Sequence, residues 1–363
     1  MNIIDKNFYG LVNKLKCMTE NEIFLNIKNN FKKVHPETQK SIQKYLNDFK
    51  YWGTLDILNN DYNEMYEKSK ILFLNINDYV WLYEKLEDYS SKKLLYAILN
   101  NFYEYDFINL KDCMHKTFNH YFDLDIIPDC SDCVFVDLGA YIGDTSMDFI
   151  KTYNNYKKIY CYEITDDTMA LLKNNLSIYD NIIYKNKAVS NFKKNMFVKN
   201  SNIDSSANTI SEEGDKIIET VNLDEDIKEK IDIIKMDIEG EEYNALIGCK
   251  NHIINDKPIL LISVYHNNTD LFRIPKLIYE YNNNYKFYLR NYGNNIFPTE
   301  IVLYAILKKW EKVLTNSTVF IIMLITNKKV CFKIFVVINK MIIRNKCEKY
   351  KNIWRYKILW TIH

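Results

Sequence analysis

The sequence predicts an α/β protein: a doubly wound, Rossmann-like sheet preceded by a helical segment and followed by a basic appendage. Three observations carry this. From Cys133 to Ile306, short β-branched and aromatic runs alternate with apolar residues at helical spacing. Residues 1–127 show helical spacing alone. From Leu307 onward the charge changes abruptly, with 13 Lys/Arg against two acids, a net of +11. The total of +1 therefore hides an acidic body of 35 basic and 45 acidic groups. The expected division is 1–127, 128–306 and 307–363.

Length and composition set the outer limits. The 363 residues, 47% of them hydrophobic, are ample for a sizeable core. No uncharged apolar run is long enough to span a bilayer, and Met1–Lys6 does not open a secretion signal. Eight scattered cysteines fit a reducing compartment, so a cytoplasmic location is expected. Cys130 and Cys133 form an isolated C-x-x-C with no second pair, and no metal is expected.

In the N-terminal segment, Ile42, Tyr45, Leu46 and Phe49 share one helix face. Leu94, Leu95, Ile98 and Phe102 share another, after a cap at Ser90 or Ser91. Aromatics such as Tyr79, Trp81, Tyr83 and Tyr96 read as core. No catalytic cluster stands out there, and the segment reads as a helical cap packed on the sheet.

The first strand, 133–137, ends in Asp137 and runs into Gly139-Ala140-Tyr141-Ile142-Gly143-Asp144-Thr145. Glycines let backbone approach a ligand where a side chain would block it. A helix follows from Asp144, with Met147 and Ile150 inward. The second strand, 158–163, ends in Glu163, an acid spaced to reach the ribose hydroxyls of an adenosine cofactor. Thr165 or Asp166 caps the next helix, which faces Met169, Leu172 and Leu176 to the sheet. The third strand is 182–185. Phe197-Val198 and Ile217-Ile218 form a hairpin around a polar loop from Ser201 to Ser211. The fourth strand, 231–236, delivers Asp237-Ile238-Glu239-Gly240-Glu241-Glu242, and the helix after it buries Tyr243, Leu246 and Ile247. Acids in a first helical turn are often dipole partners. Asp237, at the strand end, shares a sheet edge with Asp137 and Glu163. The fifth strand, 258–265, ends at His266, which titrates near neutral pH. After a helix around 274–281, strands 286–290 and 301–306 follow. The last returns directly from its neighbour and must pair antiparallel. A seven-stranded sheet ending in such a hairpin is the arrangement of an S-adenosylmethionine (SAM) methyltransferase.

Between about Tyr121 and Ile306 the sequence resembles the FkbM family of SAM-dependent methyltransferases. The resemblance rests on Phe135–Thr145, Tyr162-Glu163, Leu223-Asp224-Glu225, Ile234–Glu242, Ile262–His266 and Tyr288–Tyr292, with His120-Tyr121-Phe122-Asp123 as a lead-in. Glu241 departs from the family, which has a small residue there. The resemblance implies SAM as cofactor and O-methylation of a hydroxyl on a sugar, glycan or related small-molecule acceptor. It implies a cofactor site built from Asp137, Gly139, Tyr141, Gly143, Asp144, Thr145, Glu163 and Asp237. His266 is the leading candidate base, with Glu239 second and Asp237 positioning the amino group or acceptor.

Three alternatives stand beside this reading. A nicotinamide-dependent oxidoreductase shares the strand–glycine–acid logic but needs a third glycine and lacks the final hairpin. A nucleic-acid methyltransferase suits the basic tail, yet the body is acidic, so no nucleic acid is expected. The third is a catalytically inactive scaffold in surface-glycan assembly. The tail alternates apolar blocks, Val319–Ile325 and Ile334–Ile338, with Lys/Arg clusters. It reads either as a solvated helical or strand appendage or as a peripheral contact with anionic lipid at the inner membrane face.

Overall fold

In the computed structural model, the described residues are 2–49, 51–199, 207–214, 216–294 and 296–307, with the backbone of 318–326 and 329–337. The chain divides into two units, 1–307 and 308–363.

The first unit opens with helices α1 (Ile3–Lys16), α2 (Glu20–Phe31), α3 (Pro36–Phe49), α4 (Asn63–Lys85), α5 (Tyr89–Glu104) and the short α6 (Phe107–Lys111). Local chemistry starts several of them. Asn2 and Asp5, and then Thr19 and Glu22, form reciprocal capping boxes on α1 and α2. Asp88, rather than Ser90 or Ser91, caps α5, its carboxylate accepting the Ser91 N–H at 2.8 Å. A carboxylate is the stronger acceptor for orphan helical N–H groups. Helix ends at Lys111, not near 127. Residues 112–133 instead hold no helix or strand; Met114 bridges Asn291 at the end of β10, and Tyr121 and Phe122 are buried. Of the aromatics expected in the core, Tyr79 and Tyr83 are buried, and Trp81 and Tyr96 are half-buried.

The sheet strands are β1 (Val134–Leu138), β2 (Lys158–Tyr162) and β3 (Ile182–Lys185), then β8 (Ile233–Met236), β9 (Ile259–Ser263), β10 (Tyr285–Asn291) and β11 (Ile301–Leu307). Between them, β4 (Ala188–Val189), β5 (Lys194–Lys199), β6 (Thr209–Ser211) and β7 (Lys216–Val221) make a second sheet in the order β4-β7-β5-β6. The expected pairing of Phe197 with Ile217 is present. The polar stretch after it is not all loop, because Thr209–Ser211 adds an edge strand to β5. Residues 200–206 of that stretch lie outside the described residues.

The main sheet runs β10-β11-β9-β8-β1-β2-β3. All neighbours are parallel except β11, which is inserted antiparallel between β9 and β10. Strands covered on both faces need continuous apolar runs, and every residue of β1, β8 and β9 is buried. Helices α7 (Asp144–Thr152), α8 (Asp166–Asn175), the one-turn α9 (Leu223–Asp226), α10 (Glu242–Gly248), α11 (Lys250–Asn255) and α12 (Asp270–Tyr281) connect the strands. Helix α7 packs through Phe149 and Ile150, with Met147 half-buried, and α8 through Met169 and Leu172, with Leu176 at its end. In α10, Ala245 and Leu246 are the fully buried apolar residues, while Tyr243 and Ile247 are half-buried.

The N-terminal helices are tied to the β10 edge by a buried polar knot. Arg290 on β10 donates to Asp123 through Nε and to Asp88 through Nη2, both at 2.7 Å, while the Ser91 hydroxyl accepts the Leu289 N–H at 2.8 Å. One guanidinium thus joins α5, the lead-in loop and the sheet.

In the second unit, β12 (Thr318–Thr326) and β13 (Lys329–Val337) pair antiparallel. The Lys/Arg clusters of the tail, on which the expected membrane contact depends, lie partly outside the described residues, Lys328 and all those beyond 337 among them. Among the described residues, no helix is long and apolar enough to cross a membrane.

Candidate functional site

The chain leaves β1 toward β2 and β3 on one side, and its second half places β8 and β9 on the other. The carboxyl ends of β1 and β8 therefore flank the switch point of the sheet, where open α/β sheets bind ligands. The register pairs Leu138 with Met236, so the residues just beyond them meet. A Cβ on Gly139 would sit 1.8 Å from the Asp237 carbonyl oxygen, and its φ is +76°. Only glycine fits there. Gly143 serves differently. At φ +87° it starts α7, and a Cβ would press on Leu172 at 2.8 Å, so it supports packing.

A cleft of about 560 Å³, counted to its solvent mouth, opens at this point. Gly139, Glu163, Asp237 and Glu239 line it, together with apolar walls such as Ile164 and Val189. Asn208, Thr209 and Ile210, from the far side of the polar stretch, line it too. Glu163 is held in place by its neighbours. Its Oε2 accepts the Tyr141 N–H at 3.1 Å and its Oε1 the Thr165 N–H at 2.9 Å. Tyr141 thus contributes its backbone N–H to the placing of Glu163. Asp144 and Thr145, like Gly143, are not among the lining residues.

Asp137 departs from the expectation of three acids in one pocket. It is fully buried behind the cleft, 3.1 Å from the Lys235 ammonium, and accepts from the Ser146 hydroxyl at 2.7 Å. Lys235 also donates to the Gly139 carbonyl at 2.7 Å. Burial alone would lower the lysine pKa, but the carboxylates of Asp137 and Asp237 outweigh it and hold the ammonium above its ordinary value. The pair pins the glycine turn and the start of α7 to β8. A lysine inside an otherwise apolar strand was the sequence signal for such a partner, since a buried charge demands one.

Beyond β8, a tight turn carries Glu239 at φ +57° and Gly240 at φ +104°. Glu242 ties it, accepting the Ile238 and Gly240 N–H groups at 2.9 and 3.0 Å. The same carboxylate lies 2.9 Å from His266 Nδ1. Nε2 of His266 faces Asp237 Oδ1 and Glu239 Oε2, each at 3.6 Å. Burial would depress this imidazole, but Glu242, Glu239 and Asp237 overcome it and push the pKa up to about 10. A ring that already holds a proton at neutral pH cannot take another, so the base role expected of His266 does not suit its surroundings. Burial, reinforced by Asp237, pushes Glu239 and Glu300 up to about 7.

Three further side chains complete the site. Tyr121 donates to Asp237 Oδ2 at 2.7 Å and lies 2.9 Å from the Ser263 hydroxyl. Tyr51, following α3, donates to Glu239 Oε2 at 2.6 Å. The Trp52 indole N–H reaches the Tyr265 carbonyl at 2.8 Å. Tyr51 and Tyr121 thus hold two of the carboxylates that line the cleft. Nothing in the sequence pointed to Tyr51, whereas Tyr121 lay in the lead-in that carried the resemblance.

Comparison with known proteins adds the following. Residues 137–295 match the model of the methyltransferase FkbM domain. Among solved structures, a methyltransferase FkbM from Methylobacillus flagellatus KT aligns at 24% identity with a TM-score of 0.55. The alignment covers 72% of this chain and 65% of that one. Fibrillarin from Aeropyrum pernix, in complex with natively bound S-adenosyl-L-methionine, aligns at 12% identity, over 50% of this chain and 69% of that one, with a TM-score of 0.33. No curated protein matches.

Proposed function

We propose, from the premise that residues 137–295 carry a methyltransferase FkbM domain, that the protein transfers a methyl group from SAM to a hydroxyl of a sugar, glycan or related small-molecule acceptor. The observation that carries the reading is the shared cleft of Gly139, Glu163 and Asp237 at the β1/β8 crevice. The domain match and the inserted antiparallel β11 both favour methyl transfer over nicotinamide chemistry.

The residues present fit the cofactor. SAM is cationic at its sulfonium and amino groups, and Glu163, Asp237, Glu239 and Glu241 line the cleft against the single cation Lys187 among its described lining residues. Glu163 Oε1 accepts both the N–H and the hydroxyl of Thr165, while Oε2 accepts the Tyr141 N–H and keeps lone-pair capacity for a ribose hydroxyl. Leu138, Ile164, Val189 and Ile210 offer apolar surface for an adenine ring. When bound, SAM supplies a methyl already activated on a sulfonium.

The chain must then orient an acceptor oxygen and receive its proton. Asp237 and Glu239 line the cleft beside His266; Asp237 positions the acceptor and Glu239 takes its proton. Tyr121 and Tyr51 fix the two carboxylates by hydrogen bonds. A sugar hydroxyl is a weak acid, so alignment contributes more than base strength.

Calorimetric titration of SAM against Glu163→Gln tests the cofactor half. Losing a charge-assisted ribose contact, worth about 1.5–3 kcal/mol, should weaken binding about 10- to 150-fold. Unchanged affinity would remove Glu163 from the site, and the absence of SAM binding by the unmodified protein would end the reading. Labelled SAM incubated with a pool of sugar nucleotides and glycolipids tests the acceptor half. Label appearing in an alkali-stable ether of a sugar supports it, and label confined to nucleic acid or protein refutes it.

A further inference from the structure

Two buried polar atoms behind the cleft face each other without a hydrogen-bond partner. They are Asp237 Oδ1 and His266 Nε2, 3.6 Å apart. The His266 side chain has no exposed surface. This separation is too long for a hydrogen bond, which ends near about 3.2 Å. It is too short for a bridging water, since two hydrogen bonds of about 2.8 Å at a tetrahedral angle span roughly 4.6 Å. Two ligand atoms each about 2.1 Å from one metal ion stand roughly 3.0–3.6 Å apart as the angle opens from a right angle past the tetrahedral one.

We propose that Asp237, His266 and Glu242 form a divalent-cation site at the inner end of the cleft. Asp237 Oδ1 and His266 Nε2 are the direct ligands. Glu242 completes the group: one donor atom from each of the three residues lies within 4.8 Å of the others. Its contact with Nδ1 at 2.9 Å turns Nε2 toward Asp237, the carboxylate–imidazole–metal arrangement that orients a ligating histidine. Glu239 Oε2, at 3.6 Å from the same nitrogen, adds negative charge on the cleft side. The ion takes the place of a proton on Nε2 and keeps its open positions toward the cleft, where a hydroxyl oxygen can bind. One imidazole with carboxylates suits a first-row ion such as Zn2+ or Mn2+, which bind more tightly to nitrogen donors than Mg2+ does. The sequence showed no ligand spacing because the residues come from two strand ends and the start of a helix.

The site is a statement about binding and does not depend on methyl transfer. Mn2+ alone, titrated into the full-length protein and followed by electron paramagnetic resonance, should show a saturable bound ion whose spin-echo spectrum carries one imidazole nitrogen. His266→Gln and Asp237→Asn should each weaken binding by about 10-fold or more, with circular dichroism reporting whether each variant is folded. The nitrogen signal is read on the unmodified chain, so it decides even if both variants unfold. No binding at millimolar Mn2+, a bound ion lacking nitrogen coupling, or equal affinity in folded His266→Gln overturns the proposal. SAM binding without Mn2+ binding would do so while leaving the proposed function intact.

Discussion

Lys235 and Asp137 should behave as one unit. Asp137 has no exposed surface and Lys235 is 2% exposed, with ammonium and carboxylate 3.1 Å apart. Replacing Lys235 with methionine leaves a buried carboxylate whose remaining partner is the Ser146 hydroxyl. Removing one partner of a buried pair costs about 3–5 kcal/mol. Asp137→Asn keeps the Ser146 contact but strands the ammonium among the Gly139 and Leu138 carbonyls, for a comparable loss. The entropy of unfolding is roughly 2.1 cal/mol/K per residue. Over the unit spanning 1–307, either single change then lowers Tm by about 5–8 °C. The double variant removes both charges together, so its loss should be close to that of one single change rather than the sum. Urea and thermal unfolding of the four proteins measure the coupling. If the single losses add to within about 0.5 kcal/mol, the two groups do not see each other and the account of the turn is wrong.

Two further predictions concern stability away from the cleft. Arg290→Ala abandons the fully buried Asp123 and frees the α5 cap, Asp88, so it should cost about 3–5 kcal/mol. A loss under about 1 kcal/mol in urea unfolding would show that this knot is not what ties the helices to β10. Glu229 accepts from Lys158 and Tyr160, and those hydrogen bonds hold its pKa down at about 2. A depressed folded pKa adds stability above the ordinary carboxylate value, lost as pH falls toward the folded one. Glu229→Gln should therefore lower stability by about 0.5–1 kcal/mol at neutral pH. The gap should close between about pH 4.5 and 2, and a gap constant across that window would refute the assignment.

The strand runs, the glycine turn and the acids at strand ends were legible because each is a local signal. Period-two and continuous apolar runs report which residues a sheet buries, and the direct return from β10 to β11 dictated an antiparallel neighbour. Glu163 could be placed from its spacing after Gly143, since strand length and crossover geometry fix where a second strand ends. Asp137 was read from the same pattern and went elsewhere. It lies one residue inside the end of β1 rather than at it, and its side chain turned to Lys235 across the β1–β8 register, which is a property of two strands.

Packing decided the rest. Tyr51 and Glu239 are 188 residues apart in sequence, Arg290 and Asp123 167, and Tyr121 and Asp237 116. No periodicity reports such a pairing, because periodicity describes one element's faces and not which buried polar groups meet across elements. His266 shows the consequence. The sequence placed it at the right sheet edge, and an isolated imidazole there is a reasonable base. Three carboxylates around it, two from the β8 turn and one from the start of α10, make it a cation or a metal ligand instead. The chemical identity of the residue came from the chain, and its protonation came from neighbours that only the folded state assembled.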